Sequence, residues 1–462
     1  MNSRLLEWTT LLALLMGGTL TQDAGCPAEE EETPTPVPTP LPPTSDHDRF
    51  LQYLDDLAAA ATSDERDALT EQFFRTIAYS DGFPIVEGQT VTFVYQQAWG
   101  IEEPLRVSGQ FNDWDPNAIL MTRAVPDYHV FWVTIQVPDP NAYCMYKFVG
   151  KDSSGGDIWF ADPAARRYQY DNYGEFSLIS GGTQGQPSHL ERYPAFESAI
   201  LGNTRDLALY IPPGYDHESD TYPVLYMHDG QNLFDPAAFY GGWQVDDVID
   251  DLLARGRMQE IIVVGVANTP ARTDEYTHVE DFLPLDGGWV GGDAPEYARF
   301  LVEEVKPFID ARYRTRPGRE STAVLGSSLG GLVSFYIGWA YTDVFTFVGG
   351  MSSTLGWGSI NAQNETMIEI LQDAEKLPLV YYLDSGGGDG GGCVDSDGDG
   401  IEDDNPNAGD NYCETAQLRD VLLEKGYTDD DLLYVYAPGQ EHNEASWHDR
   451  MHYPLTFWFP AR

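Results

Sequence analysis

One serine in this chain stands where a nucleophile would have to stand. The string Gly326-Ser327-Ser328-Leu329-Gly330 follows an apolar strand-like run, STAVL, and precedes a helix-like run, LGGLVSFYIGWAY. A sharp strand-to-helix turn holds the middle residue of such a pentapeptide in a strained conformation. Side chains just before and after it would collide, which calls for glycine on both sides. The N-terminus of the following helix then faces any negative charge that develops on an attacked carbonyl. That is acyl-transfer chemistry with Ser328 as nucleophile.

Such a serine needs a base and an acid, which follow the motif in the order serine, acid, histidine. The terminal segment APGQEHNEASWHDRM offers two histidines. His442 lies in the loop after the last strand, the position a base at the sheet end requires. His448 lies in an amphipathic run beside Trp447 and reads as surface or packing. The acid should follow the strand LVYYL, and Asp384 and Asp389 in LDSGGGDGGG are the candidates. Asp389 ranks first, because the acid must orient the imidazole from a loop rather than point along a strand. Asp384, at the strand end, stays open as the alternative.

Directly after Asp389 comes an acidic insert, GGGCVDSDGDGIEDDNPNAGDNYC. Asp395, Asp397 and Asp399 alternate, followed by Gly400 and Asp403. Alternate carboxylates converge on one cation, so a structural Ca2+ is expected here, although the glutamate that closes an EF-hand loop is missing. The pattern is closer to the acidic calcium repeats of thrombospondin type. Of the four cysteines, Cys393 and Cys413 bracket this insert and are expected to form a disulfide. Cys144, in the alternating run YCMYKF, is expected to be a buried thiol.

The elements that must position these residues follow from periodicity. From residue 190 to 462, continuous apolar strands such as PVLYMHDG, IIVVGVAN and FTFVGGMSS alternate with helices such as WQVDDVIDDLLARG and TAQLRDVLLEKG. Strands apolar on both faces imply a mostly parallel, doubly wound sheet in an α/β fold, with insert 393–413. From 83 to 182, short runs with period two predict a small antiparallel β-sandwich. Residues 47–82 read as a helical lead-in, with Phe50, Leu51, Leu54 and Leu57, then Leu69, Phe73 and Ile77, at helical spacing.

Before these comes a leader. Residues 1–25 read as a signal peptide: Arg4 precedes an apolar run from Trp8 to Leu20 that is too short to span a membrane. Ala24-Gly25-Cys26 resembles the end of a bacterial lipoprotein box, with Asp23 departing from it, so Cys26 is a candidate for lipidation. Residues 26–46 are a proline- and glutamate-rich linker, read as a stalk. These features imply a secreted or cell-surface bacterial protein. With 74 Asp+Glu against 26 Lys+Arg the net charge is −48, which argues against nucleic acid as a partner.

The catalytic segment resembles the putative-esterase family of α/β-hydrolases, which includes feruloyl and acetylxylan esterases, ferric-enterobactin-type esterases and the mycolyltransferases. The strings that carry the resemblance are YPVLYMHDGQNLFD, GWQVDDVID, IVVGVANTPARTDEYT, VLGSSLGGL and GQEHNEASW. The resemblance implies an oxyanion hole from the backbone N–H groups of Gln231 and Leu329, and no cofactor for catalysis. Arg272 and Glu275 match an R-x-x-E-Y element and are expected to form a structural ion pair. The sandwich resembles the modules of starch-branching and debranching enzymes, through Gly109 to Trp114, Trp132, Tyr146-Lys147-Phe148 and Asp162-Pro163. Trp114, Trp132 and Trp159 could stack on sugar rings or fill its core. The resulting expectation is a serine carboxylic ester hydrolase removing feruloyl- or acetyl-type groups from an acylated carbohydrate. Siderophore ester cleavage, acyl transfer and a non-catalytic, calcium-dependent surface-binding role are the alternatives.

Overall fold

Five buried strands carry the site. Val224–His228, Ile262–Val266, Thr322–Ser327, Phe347–Met351 and Val380–Ser385 have almost every residue out of solvent. A strand apolar on both sides needs cover on both. The structure, a computed structural model, describes residues 45–180, 187–217, 219–284, 288–395, 398–402 and 409–461. The signal peptide, Cys26 and the linker up to residue 44 lie outside the described residues, as do Asp397 and Asp403, and the last two linker residues, Ser45 and Asp46, cap and begin the first helix. Among the described residues no helix is long and apolar enough to cross a membrane.

The parallel part of the sheet runs in the order Leu432–Tyr436, Val380–Ser385, Phe347–Met351, Thr322–Ser327, Val224–His228, Ile262–Val266. Thr204–Ile211 and His189–Glu197 extend it antiparallel. One face is covered by helices that contribute Tyr297, Phe300, Ile309, Leu332, Phe335 and Leu418 to its core. The other face is covered by Val245–Ala254 and His452–Trp458, through Ile249, Leu252, Leu455 and Trp458. The register pairs Ser327 with Met351 and Met351 with Asp384, and Ser385 with Tyr436. The carboxyl ends of four strands are therefore level, and the loops that leave them meet at one edge.

The sandwich is built as its alternation predicts, and its two faces find different partners. In Thr90–Gln96, Val91, Phe93 and Tyr95 point into the sandwich core with Val107, Tyr146 and Phe148. Val94 points the other way, under the helices Asp46–Ala59 and Ser63–Ala78, where it meets Phe50, Tyr53, Phe73 and Ile77. Trp132 packs edge-on against Phe50 at 5.3 Å between ring centroids, so it serves this core rather than a surface. The second sandwich sheet does not stop at a domain boundary. Arg167–Asp171 pairs with His189–Glu197 through Leu190 opposite Tyr168, so the sandwich and the α/β segment share one 13-stranded sheet.

A buried ion pair ties the loops at the carboxyl edge to this sheet. Arg205 donates to Glu275 at 2.7 and 3.0 Å, and their side chains are 0% and 4% exposed. Removing one partner strands the other without a counter-ion. Glu275→Ala should therefore lower stability by about 3–5 kcal/mol, read as a shift of the urea midpoint at constant slope. A midpoint equal to that of the parent chain would show that the pair contributes nothing.

Candidate active site

Ser328 adopts φ 56° and ψ −124°, between the buried strand Thr322–Ser327 and the helix Leu329–Ala340. Of the two flanking glycines, Gly326 is required by contact, since a Cβ there would lie 2.5 Å from the carbonyl carbon of Gly330, whereas a Cβ on Gly330 would come no nearer than 3.4 Å to its neighbours. The Ser328 N–H donates to Met351 O at 3.0 Å, and its carbonyl accepts from Thr354 N at 3.2 Å. The hydroxyl is half-buried and sits 3.4 Å from Thr354 Oγ1. Leu329 is the first residue of its helix, so its N–H has no acceptor within that helix.

The other oxyanion candidate, Gln231, lies in a short turn, Gly230–Asn232, after the strand Val224–His228. Gly230 lies flat on the neighbouring strand, where a Cβ would come within 2.6 Å of the Gly265 carbonyl carbon. Gln231 Oε1 accepts from Asn268 N at 3.1 Å. The preceding residue, Asp229, is left-handed at φ 56° and its carboxylate is clamped by Arg272 at 2.8 and 2.9 Å and by Asn268 Nδ2 at 2.7 Å. Arg272 and Glu275 do not pair with each other as expected. Each finds a partner distant in sequence: Asp229, just past the end of the strand Val224–His228, for Arg272, and Arg205, in the strand Thr204–Ile211, for Glu275. Beside this turn His228 is buried, with Nδ1 2.9 Å from Tyr297 Oη, and burial pushes its pKa down to about 3, so it is neutral.

His442 meets an aspartate, but not the expected one. Its Nδ1 lies 2.9 Å from Oδ1 of Asp410, and its ring stands edge-on to Trp447 at 5.2 Å. The side chain of Asp410 is 2% exposed, and its other oxygen accepts from the Gly386 N–H. Burial disfavours its charge, yet the bonds from His442, Gly386 and Ser352 and the nearby Arg450 outweigh burial and hold its carboxyl below the usual range. The carboxylate beside His442 thus stays ionised. Asp389 is exposed, and its carboxylate caps the Gly391 amide in its own turn. Asp384 is fully buried under Arg450, at the strand end, and burial pushes its carboxyl up to about 6.

The reason lies in the insert. Its two feet touch: Gly388 bridges to Gly409, and a Cβ on Gly387 would lie 1.6 Å from Gly409 O. Asp389 is already on the outward excursion, whereas Asp410 is where the chain returns to the sheet edge. The residue that follows the strand in space is therefore at the far end of the insert. The touching feet and the disulfide, which joins Cys393 to Cys413, are the signal that places it there. Asp395 turns its carboxylate onto the amides of Gly398, Asp399 and Gly400 at 2.6, 3.1 and 3.0 Å. Among the described residues no three acidic, histidine or cysteine side chains gather in a metal-binding arrangement. His448 packs, with Nδ1 2.7 Å from Trp243 O, and Cys144 is a buried free thiol.

Contacts connect Ser328 to His442 without a direct bond between them. Thr354 touches Ser328, Asn411 Nδ2 donates to Thr354 Oγ1 at 3.2 Å, and Asn411 follows Asp410, which holds His442. Ser–His hydrogen bonds are often long in substrate-free sites and tighten with substrate.

Residues 198–452 match the model of the family described as Putative esterase. The chain belongs to this esterase family. Its activity is that of a carboxylic ester hydrolase. It is 24% identical over 251 residues to an uncharacterised Bacillus subtilis protein, YbbA, covering 52% of this chain and 87% of that one. It is 26% identical over 268 residues to an endo-1,4-β-xylanase/feruloyl esterase of Xylanibacter ruminicola, covering 55% of this chain and only 31% of that longer protein. Among solved structures it is similar to a ferulic acid esterase, at 20% identity over 59% of this chain and 98% of the other, TM-score 0.43. It is also similar to the enterobactin esterase of Shigella flexneri, at 16% identity over 80% and 93% of the two chains, TM-score 0.42.

Because Asp410 lies inside the loop that Cys393 and Cys413 close, this esterase should depend on that bond. The bond spans 20 residues, and opening it costs roughly 3 kcal/mol in the chain-entropy account. Replacing both cysteines by serine should lower the melting temperature and reduce kcat, with KM for a small ester unchanged. Unaltered kcat in the double variant would show that Asp410 is held without it.

Proposed function

We propose that this esterase removes acyl groups from a carbohydrate through an acyl-enzyme on Ser328. The observation that carries the mechanism is the pairing of a strained elbow serine with a histidine that a buried, ionised Asp410 orients. In this reading His442 takes the proton of Ser328 Oγ as the oxygen attacks the ester carbonyl. The oxyanion that forms accepts hydrogen bonds from the backbone N–H groups of Gln231 and Leu329, a contribution of a few kcal/mol to the transition state. His442 returns the proton to the departing sugar oxygen. A water, deprotonated in the same way, then releases the acid and restores Ser328.

A second site supports the sugar as the alcohol part. Trp114 and Trp159, with ring centroids 6.3 Å apart, line an open pocket of about 680 Å³ on the sandwich with Lys147, Asp171 and Tyr173. Trp159 is 40% and Tyr173 87% exposed, whereas Trp132 is committed to the core beneath the lead-in helices. Exposed aromatic rings beside a cation and a carboxylate suit the apolar faces and hydroxyls of pyranose rings.

The test is a panel of feruloyl, acetyl and short-chain nitrophenyl esters, each free and on polysaccharide. Ser328→Ala should lower kcat by about 10⁴-fold or more on all of them with folding intact. The double change Trp114→Ala and Trp159→Ala should lower kcat/KM on polymer only. Turnover by Ser328→Ala at normal KM would refute the mechanism. Equal loss on free and polymeric esters, or cleavage of a catecholate lactone in preference to any sugar ester, would refute the substrate.

We also propose that the insert takes a calcium ion on Asp395, Asp397, Asp399 and Asp403. The alternation of these carboxylates supports it, because like charges so close repel unless a cation joins them. Binding to the folded state alone stabilises by about 2.7 kcal/mol at a hundredfold excess over Kd. The melting temperature should rise with calcium and fall with chelator. Identical melting curves would leave the insert a solvated acidic loop.

A further inference from the structure

Arg450 is a large cation in the protein interior, 1% exposed, at the end of the short helix Glu444–Arg450 that follows His442. Its guanidinium lies between two buried carboxylates. Nε is 3.1 Å from Asp384 Oδ2, and Nη2 is 3.4 Å from Asp410 Oδ2. Nη2 also donates to Ser352 Oγ at 2.8 Å, and Nη1 to Gln440 Oε1 at 2.8 Å. Gly386 makes room for this, since a Cβ there would meet Arg450 Nη1 at 2.6 Å.

Ser352 is the second unusual residue. It follows the strand Phe347–Met351 in a left-handed conformation, φ 49°, that a non-glycine residue keeps only where its surroundings hold it there. Four contacts do so. Its N–H donates to Asp384 Oδ1 at 3.1 Å, its carbonyl accepts from Asn411 Nδ2 at 2.8 Å, and its hydroxyl accepts from Trp447 Nε1 at 3.1 Å as well as from Arg450. Trp447 is the ring that His442 stands against. Ser352 therefore joins the strand beside the elbow, the segment bearing Asp410 and the helix behind His442.

We propose that Arg450 and Ser352 are positioning residues for ester hydrolysis, fixing the Asp410 carboxylate so that one oxygen faces His442. The inference rests on the reading of Ser328, His442 and Asp410 as the reacting group and its partners. Oδ2 of Asp410 is gripped by the Gly386 amide and Arg450, which leaves Oδ1 aimed at the imidazole. Asp384 supplies the counter-charge that keeps Arg450 in place, with its own Oδ2 taking the Tyr382 hydroxyl at 2.6 Å. Neither residue needs to touch substrate, so their loss should act on turnover and not on binding.

The experiment uses the full chain and a small nitrophenyl ester. Arg450→Gln and Ser352→Ala are compared with Arg450→Lys for kcat, KM, thermal melting and the low-field proton resonance of the His442 Nδ1–H shared with Asp410. Misplacing a reacting group by about 1 Å costs on the order of 10²-fold. Arg450→Gln should lower kcat by about that factor and Ser352→Ala by about tenfold, each with KM within about twofold of the parent. The resonance should shift or broaden in both, and Arg450→Lys should recover part of kcat. If Arg450→Gln does not fold, Ser352→Ala decides, because it keeps every charge in place. A folded Ser352→Ala protein with parental kcat and an unmoved resonance overturns the proposal. Ser328→Ala, run alongside with a fluorophosphonate label, separates the two claims: if it stays active or still labels, the underlying site assignment has failed rather than the positioning role.

Discussion

The left-handed turn at Ser328 is the constraint on which the rest of the site depends. It exists only because Gly326 and Gly330 touch backbone to backbone, and because the strand before it and the helix after it are packed on both faces of the sheet. A residue held at φ 56°, ψ −124° would relax if either flank were loose. The level ends of the neighbouring strands then bring Met351, Ser352 and Asp384 alongside, and every other group in the site is hung from those ends.

Two braces of opposite character hold the loops on either side of the elbow. On the Gln231 side, Asp229 is tied to Arg272 and Asn268 and the turn above it lies on Gly265. On the His442 side, one arginine serves two carboxylates. A buried ion pair is weak support for stability, because desolvation offsets most of the attraction. Its value is directional: a guanidinium fork fixes the plane of a carboxylate in a way that an apolar contact cannot.

What could be read from the sequence follows a physical line. Ser328 and His442 stand in local patterns, a strand–turn–helix and a loop after a strand, and local patterns are visible in a linear string. The alternation of Val91, Phe93 and Tyr95 against Val94 is visible for the same reason. Asp410 is not, because its place next to Gly386 depends on the two feet of a long insert meeting, and no periodicity records that contact. Arg272 and Glu275 misled in the same way, since spacing suggested a partner three residues off while the true partners, Asp229 and Arg205, are distant in sequence. The joining of sandwich and catalytic sheet through Leu190 and Tyr168 is likewise a long-range pairing.

The central claim is that the acid lies where the insert returns to the sheet, at Asp410, and not where it departs, at Asp389. Steady-state kinetics of Asp410→Asn and Asp389→Asn on one nitrophenyl ester address it most directly. Loss of the carboxylate that orients a triad histidine lowers kcat by about 10⁴-fold with the fold intact. The account predicts a loss of that order for Asp410→Asn and a rate within about twofold of the parent for Asp389→Asn. The reverse pattern would contradict it.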